Sequence, residues 1–190
     1  HSWYRRQRQM CIRDSSLESL KNLVSPKGRM QELKSHNGAK IYIDFSHTPD
    51  ALESILKEKS KQNSKLFLVI GCGGNRDNQK RKIIGHIASK YSFKAIITDD
   101  NPRNENPKQI RSEIIRGKLK NKDNLIEIAD RKQAILKVLD MSHKGDIVII
   151  AGKGHEKYQI YGNQKIPHDD FKFCQDLSLI HISEPTRPIR

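Results

Sequence analysis

Leu66-Phe67-Leu68-Val69-Ile70-Gly71-Cys72-Gly73-Gly74-Asn75-Arg76-Asp77 is the stretch from which the fold can be read. A continuous apolar run of strand length enters a glycine loop, and a helical stripe of Ile83, Ile84, Ile87, Ala88 and Tyr91 follows, with Asp77 as its expected cap. A strand without polar alternation is buried on both faces, as in a parallel sheet covered by helices.

The same unit recurs on either side. Upstream, Lys40-Ile41-Tyr42-Ile43-Asp44-Phe45 reads as a strand, and Thr48-Pro49 supplies the cap and first residue of a helix striped by Ala51, Leu52, Ile55 and Leu56. Downstream, Ala95-Ile96-Ile97-Thr98 is a third strand, followed by a helix that Asn106-Pro107 opens and that carries Ile110, Ile114, Ile115 and Leu119. Leu125 to Ile128 is a fourth strand, and Asp130 caps a helix with Ala134, Ile135, Val138 and Leu139. Asp146 to Ala151 is a fifth, strongly buried strand. Tyr158 to Tyr161, the Gly162-Asn163 turn and Gln164 to Ile166 read as an edge hairpin, and a short last helix starts near Asp169. Repeated strand-helix units predict an α/β fold with a doubly wound, mostly parallel sheet and an edge hairpin. Ser25 to Gly38, with one Pro and two Gly, reads as a linker entering this domain.

The chain's 190 residues suffice for one well-buried core. A net charge of +14 raises nucleic acid or an anionic membrane as partners, but the lysines are spread along the polar faces of the expected helices. Aromatic content is 6%, and no basic stretch interleaves aromatics as a stacking platform would. Neither nucleic acid nor membrane is an expected partner. Cys11, Cys72 and Cys174 form no CxxC pair, so neither a zinc site nor a disulfide framework is indicated. The longest apolar runs are too short to span a bilayer. A soluble, cytoplasmic, monomeric protein is expected.

Both ends read as foreign to the fold. His1 to Ser15 and Ser178 to Arg190 resemble translated sequencing-adapter read-through and are expected to be non-native. The expected organisation is therefore an adapter-like segment at 1–15, a junction at 16–37, the α/β domain at 38–177 and an adapter-like tail at 178–190.

In an open α/β sheet, ligands bind outside the carboxyl ends of the strands. Four polar strand ends converge there: Asp44 to His47, Gly71 to Asp77, Thr98 to Arg103 and Gly152 to Glu156. Arg76 and Arg103 can each grip a carboxylate through two parallel hydrogen bonds, and Glu156 can accept from an ammonium. The backbone amides of the glycine loop can meet an anion at a helix N-terminus, although glycines there also serve close packing. His47 can contact a nucleotide or hold its turn. Cys72 lacks a nucleophile's His and Asp partners and reads as a packing residue. His36, His86, His143 and His168 read as surface or helix-end residues, and Asp169-Asp170 as a cap. His155-Glu156 fails the HExxH spacing at Gln159, so no metal ligand is expected. Two arginines and a glutamate on one rim suit a zwitterion with several carboxylates and ammonium groups.

Beyond this chemistry, the motifs resemble those of the Mur ligase family, in particular the C-terminal domain of its diaminopimelate-adding members. The resemblance runs from Gly28-Arg29-Met30 to about Leu177. It rests on Asp44-Phe45-Ser46-His47-Thr48-Pro49-Asp50-Ala51-Leu52, Gly71 to Asp77, Asp100-Asn101-Pro102-Arg103, Ala151 to Glu156, and Tyr158-Gln159. It implies a Rossmann-like domain of an ATP- and Mg2+-dependent, amide-forming ligase of peptidoglycan synthesis. In that reaction the terminal carboxylate of UDP-N-acetylmuramoyl-L-alanyl-D-glutamate is phosphorylated, and the meso-diaminopimelate amine attacks the acyl phosphate.

Residue by residue, the resemblance places Arg76, Asp100, Asn101, Pro102, Arg103, Gly152 and Glu156 on diaminopimelate-binding positions, and His47 with Asp44 near the nucleotide. Ser46 stands where the family usually has Ala, and Asn75 where it usually has Asp. No P-loop, carboxylated-lysine region or UDP-sugar domain is present in the sequence, so no catalytic residue is expected in this chain and the fragment alone is expected to be inactive. ATP and Mg2+ would be held mainly by the missing central domain, and the UDP-N-acetylmuramoyl dipeptide by the other missing domains. A free-standing amino-acid-binding module is the alternative.

Overall fold

The computed structural model describes residues 26–34 and 37–180. The adapter-like readings of 1–15 and of most of 178–190, and His36 and Cys11, lie outside the described residues.

Among the described residues, eight strands and five helices follow one another. In chain order they are β1 (Gln31–Lys34), β2 (Lys40–Asp44), α1 (Pro49–Lys59), β3 (Leu66–Ile70), α2 (Gln79–Tyr91), β4 (Lys94–Ile97), α3 (Pro107–Ile115), β5 (Leu125–Glu127), α4 (Arg131–Met141), β6 (Ile147–Ala151), β7 (Tyr158–Tyr161), β8 (Gln164–Pro167) and α5 (Asp170–Ile180). Six strands form one sheet in the order β1-β2-β6-β3-β4-β5, and β7-β8 form the expected hairpin. All neighbours in the large sheet are parallel except β1 and β2.

Successive side chains of a strand point to opposite faces, and the apolar strands therefore feed two cores. Leu68, Ile70, Ile97 and Ile149 pack on one face against Leu52 and Leu56 of α1, Ile84 and Ile87 of α2, and Ile110 and Ile114 of α3. Phe67, Val69, Ile96, Val148 and Ile150 pack on the other against Ala134, Ile135, Val138 and Leu139 of α4 and Cys174 of α5. The sheet is doubly wound, as the continuous apolar runs predict. Its parallel strands all deliver their carboxyl ends, and the loops after them, to one edge.

Three helix starts carry their expected side-chain caps: Asn106 accepts from the Lys108 amide at the start of α3, Asp130 from the Gln133 amide at the start of α4 and Asp169 from the Lys172 amide at the start of α5, while Thr48 stands before Pro49 at the start of α1 without a side-chain bond. Three local expectations change. The segment read as a linker contributes β1, an antiparallel edge strand with Leu33 opposite Ile41; at four residues with a polar start, it carries little periodic signal. Helix α2 takes Asn78 rather than Asp77 as its N-cap residue, although the Asp77 carboxylate still accepts from the Gln79 amide at 2.9 Å. His168, read as a surface or helix-end residue, stands just before α5 and is buried, with its Nε2 2.7 Å from an Asp170 oxygen.

Candidate functional site

The loop after β3 lies directly against the loop after β4. The Gly74 amide donates to the Asn101 carbonyl at 2.9 Å, and Arg103 Nη1 donates back to the Gly74 carbonyl at 2.8 Å. A methyl group on Gly71 would overlap the Thr98 carbonyl oxygen, and one on Gly74 the Pro102 carbonyl oxygen. Glycine is needed here for close approach of two backbones. Asn75 occupies the left-handed region at φ 53°, which Asn tolerates, and its amide donates to the Glu105 carboxylate. Arg81, fully buried, anchors this corner through ion pairs to Glu105 and Glu113, both 2.7 Å.

The hairpin is stitched to the same β4 loop. Gln159 Nε2 donates to the Asp99 and Asp100 carbonyls, both at 3.0 Å, and the Ile160 amide donates to Asn101 Oδ1 at 3.0 Å. Arg103, itself at φ 53°, donates its amide to the Ile160 carbonyl and accepts from the Gly162 amide. Asp99 is occupied by Arg111 and by the Tyr161 hydroxyl. Burial, then the charge and hydrogen bond of Asp99, push the Tyr161 phenol well above its ordinary range.

After β6 the chain makes a tight turn in which Gly152 (φ 106°) and Gly154 (φ 54°) flank Lys153. These two conformations tuck the Lys153 side chain inside, at 0% exposure. Its ammonium lies 3.2 Å from Asp100 Oδ1, 3.2 Å from Asn101 Oδ1 and 3.0 Å from Glu156 Oε2. Asn101 Nδ2 donates to the same Glu156 oxygen at 2.9 Å. Burial pushes the Glu156 pKa up, but the hydrogen bonds from Asn101 and Lys153 and the charges of Lys153 and Arg103 outweigh it and hold the carboxyl below its usual range.

These loops enclose a cleft of about 280 Å³. Arg76, Asp100, Asn101, Arg103, Gly152, Glu156 and His47 all line it, together with Phe45, Lys80 and the glycine loop. Pro102 does not; it is buried and turns its carbonyl toward Gly74. Nor does Asp44. Its carboxylate is taken by the Met30 amide at 2.8 Å, the Ser46 amide at 2.7 Å and the Ser46 hydroxyl. Asp44 thus ties the entry segment to the end of β2, and Ser46 adds a donor that alanine lacks. His47 Nδ1 lies 2.9 Å from the Phe45 carbonyl, and its ring meets Phe45 edge-on. His155 and Arg29 pack on the same Phe45 ring.

Cys72 lies in the cleft lining, but burial pushes its thiol up to about 12, which suits a packing residue rather than a nucleophile. Among the described residues, no group of three or more His, Cys, Asp or Glu is placed to hold a metal ion. No helix among them is long and apolar enough to cross a membrane. Lys153 and Lys80 are the site residues that sequence reading passed over. For Lys153 the available signal was a lysine between two glycines at the end of a buried strand.

Compared with known proteins, residues 28–154 match the family described as Mur ligase, glutamate ligase domain. The chain belongs to the Mur ligase family. It is 49% identical over 157 residues to the UDP-N-acetylmuramoyl-L-alanyl-D-glutamate--2,6-diaminopimelate ligase of Rickettsia bellii, covering 81% of this chain and 32% of that protein. The ligase of the same description from Clostridioides difficile is 46% identical over 152 residues, covering 80% and 31%. A solved structure of such a ligase superimposes with a TM-score of 0.77 at 36% identity, over 86% of this chain and 34% of that one. The chain thus spans about a third of the length of the curated relatives it matches. Within this Mur ligase domain, the motifs read from the sequence occupy the loops that build the cleft.

Proposed function

We propose that the cleft binds meso-diaminopimelate, as the amino-acid-binding domain of an ATP-dependent ligase that joins it to UDP-N-acetylmuramoyl-L-alanyl-D-glutamate. The observation that carries this reading is the gathering of Arg76, Arg103, Asp100 and Glu156 around one small cleft. Arginine forks suit carboxylates, and an ionised glutamate suits an ammonium. Arg103 spends Nη1 on the Gly74 and Asn101 carbonyls, which fixes the guanidinium plane and reserves its other donors for a ligand. Its left-handed backbone is the kind of local strain that structures retain at functional sites. The relatives named as diaminopimelate ligases support a ligase over a free-standing binding module.

ATP and Mg2+ belong to the same reading. Mg2+ would stabilise the phosphoryl transfer when bound. Among the described residues no group of three or more His, Cys, Asp or Glu is placed to hold the ion, and we assign it mainly to the central domain that the family resemblance implies. His47, at the exposed mouth of the cleft, is the residue here that would meet the nucleotide; Asp44 is a structural neighbour of that turn.

Lysine lacks the second carboxylate and would leave an arginine without its partner. Calorimetric titration of the chain with meso-diaminopimelate and with lysine tests the proposal. Heat of binding for the first and at least about tenfold weaker binding of the second are expected. Equal affinities, or no binding of either, would overturn it.

A further inference from the structure

Lys153 is fully buried, and an ammonium in that position needs a partner for each proton. It has three N–H donors and three acceptors within 3.2 Å: Asp100 Oδ1, Asn101 Oδ1 and Glu156 Oε2. All three partners line the cleft, whereas Lys153 does not. The lysine therefore lies behind the site and holds its acidic wall from within. Without it, the carboxylates of Asp100 and Glu156 would lose the buried cation they share, which disfavours the ionised form of Glu156. With it, the pair carries a single net negative charge, which is what one ligand ammonium neutralises.

We propose that Lys153 is the positioning residue of the cleft, an internal countercharge that clamps one oxygen of Glu156, keeps the carboxylate ionised and leaves its other oxygen for an ammonium group of the bound amino acid. The clamp on Glu156 is a property of the ligand-free protein. The last step, delivery to an ammonium, rests on the amino-acid reading given above. The charged and titratable groups around Glu156 are Lys153, His155 and Lys157 on its own loop, Asp100 and Arg103 on the β4 loop, Cys72 and Arg76 on the glycine loop, Lys80 on α2, and His47 across the mouth.

Carbon-13 labelling of glutamate side chains, with the Glu156 carboxyl resonance identified by its loss in Glu156→Gln, reads the clamp without any ligand. In the wild-type chain this resonance should titrate below an ordinary glutamate and hold that midpoint in concentrated salt, because the countercharge is buried. Lys153→Met should raise the midpoint by about one unit or more, and Lys153→Arg should restore it at least in part. A wild-type midpoint in the ordinary glutamate range overturns the proposal, even if Lys153→Met does not fold. So does an unchanged midpoint in a folded Lys153→Met. For binding, Lys153→Met and Glu156→Gln should each weaken meso-diaminopimelate about tenfold or more, with the double variant no worse than the weaker single. Additive losses would overturn action through Glu156. Absence of diaminopimelate binding by the wild type, with the midpoint shift intact, would count against the diaminopimelate reading while supporting the clamp.

Discussion

Arg131 and Asp170, 39 residues apart, form a fork-to-fork pair with both side chains at 0% exposure. Nε donates to Oδ1 at 2.9 Å and Nη2 to Oδ2 at 2.8 Å, and Nη2 also reaches the Ala151 carbonyl at the end of β6. The pair joins the first turn of α4 to the first turn of α5 beneath the loop that presents Lys153 and Glu156. Burial pushes the Asp170 pKa up, but the charge and hydrogen bonds of Arg131, aided by His168, hold it well below the usual aspartate range.

Removing one member of such a pair leaves an uncompensated buried charge, which costs about 3–5 kcal/mol. Asp170→Asn should therefore lower the stability measured by urea denaturation by that order. Because the folded pKa is depressed, Asp170's contribution is complete above its unfolded value near 3.8 and fades as pH falls below it toward the folded value. Acid titration followed by circular dichroism should show the wild type losing this contribution below about pH 4, and Asp170→Asn lacking that part of the acid dependence.

Gly85 lies within α2, where alanine would ordinarily favour the helix by about 1 kcal/mol. Here a methyl group would overlap the Ile114 carbonyl oxygen of α3, just as one on Gly117 would overlap the Lys82 carbonyl oxygen of α2. Two glycines let the helices touch through their backbones. Overpacking costs about 1–3 kcal/mol, so Gly85→Ala should be destabilising despite its better propensity, with a lower thermal midpoint as the readout.

Arg103→Ala removes the fork assigned to a ligand carboxylate. Hydrogen bonds to charged groups contribute about 1.5–3 kcal/mol, so meso-diaminopimelate should bind roughly tenfold to a hundredfold more weakly. Lysine binding should change less, and the preference between the two ligands should collapse. Calorimetry on both ligands measures this, and an equal loss for both would argue against the assigned role.

Cys72 and Cys174 are buried, and burial raises both thiol pKa values, to about 12 for Cys72. The thiolate is the reactive form. Neither should be alkylated by iodoacetamide at mildly alkaline pH in the folded chain, and both should react in denaturant, as read by peptide mass spectrometry. Rapid labelling of Cys72 in the native state would contradict its packing role.

Mixed with ATP, Mg2+ and meso-diaminopimelate, this chain by itself is expected to release no phosphate above background, since the proposed site supplies the contacts to the amino acid and, through His47, a single contact to the nucleotide. A diaminopimelate-dependent phosphate signal in a coupled assay would contradict that assignment.

Strands β2 to β6 and the hairpin were legible because a strand buried on both faces must be apolar throughout, and its helices must carry a single apolar stripe. The cleft was legible in outline, since loops after parallel strands share one edge of the sheet. Arg76, Arg103 and Glu156 indeed meet there. β1 was not legible, because its pairing with β2 depends on a partner strand and not on its own four residues. Asp44 read as a nucleotide neighbour; its carboxylate is taken by Ser46, two residues on in a local turn, and by Met30, fourteen positions back, a contact that no local spacing announces. His168, Arg81 and Arg131 likewise read as surface residues or went unremarked.

From its sequence alone, this chain declares a doubly wound α/β domain and the family motifs that rim its cleft, because hydrophobic periodicity and short loop motifs are local properties of the chain. Tertiary structure alone decided which charges are spent inside the protein and which are kept for a ligand. Lys153 touches Asp100 across 53 positions and Arg131 touches Asp170 across 39. A buried charge is set by what surrounds it in space, and those neighbours arrive only when the sheet has assembled.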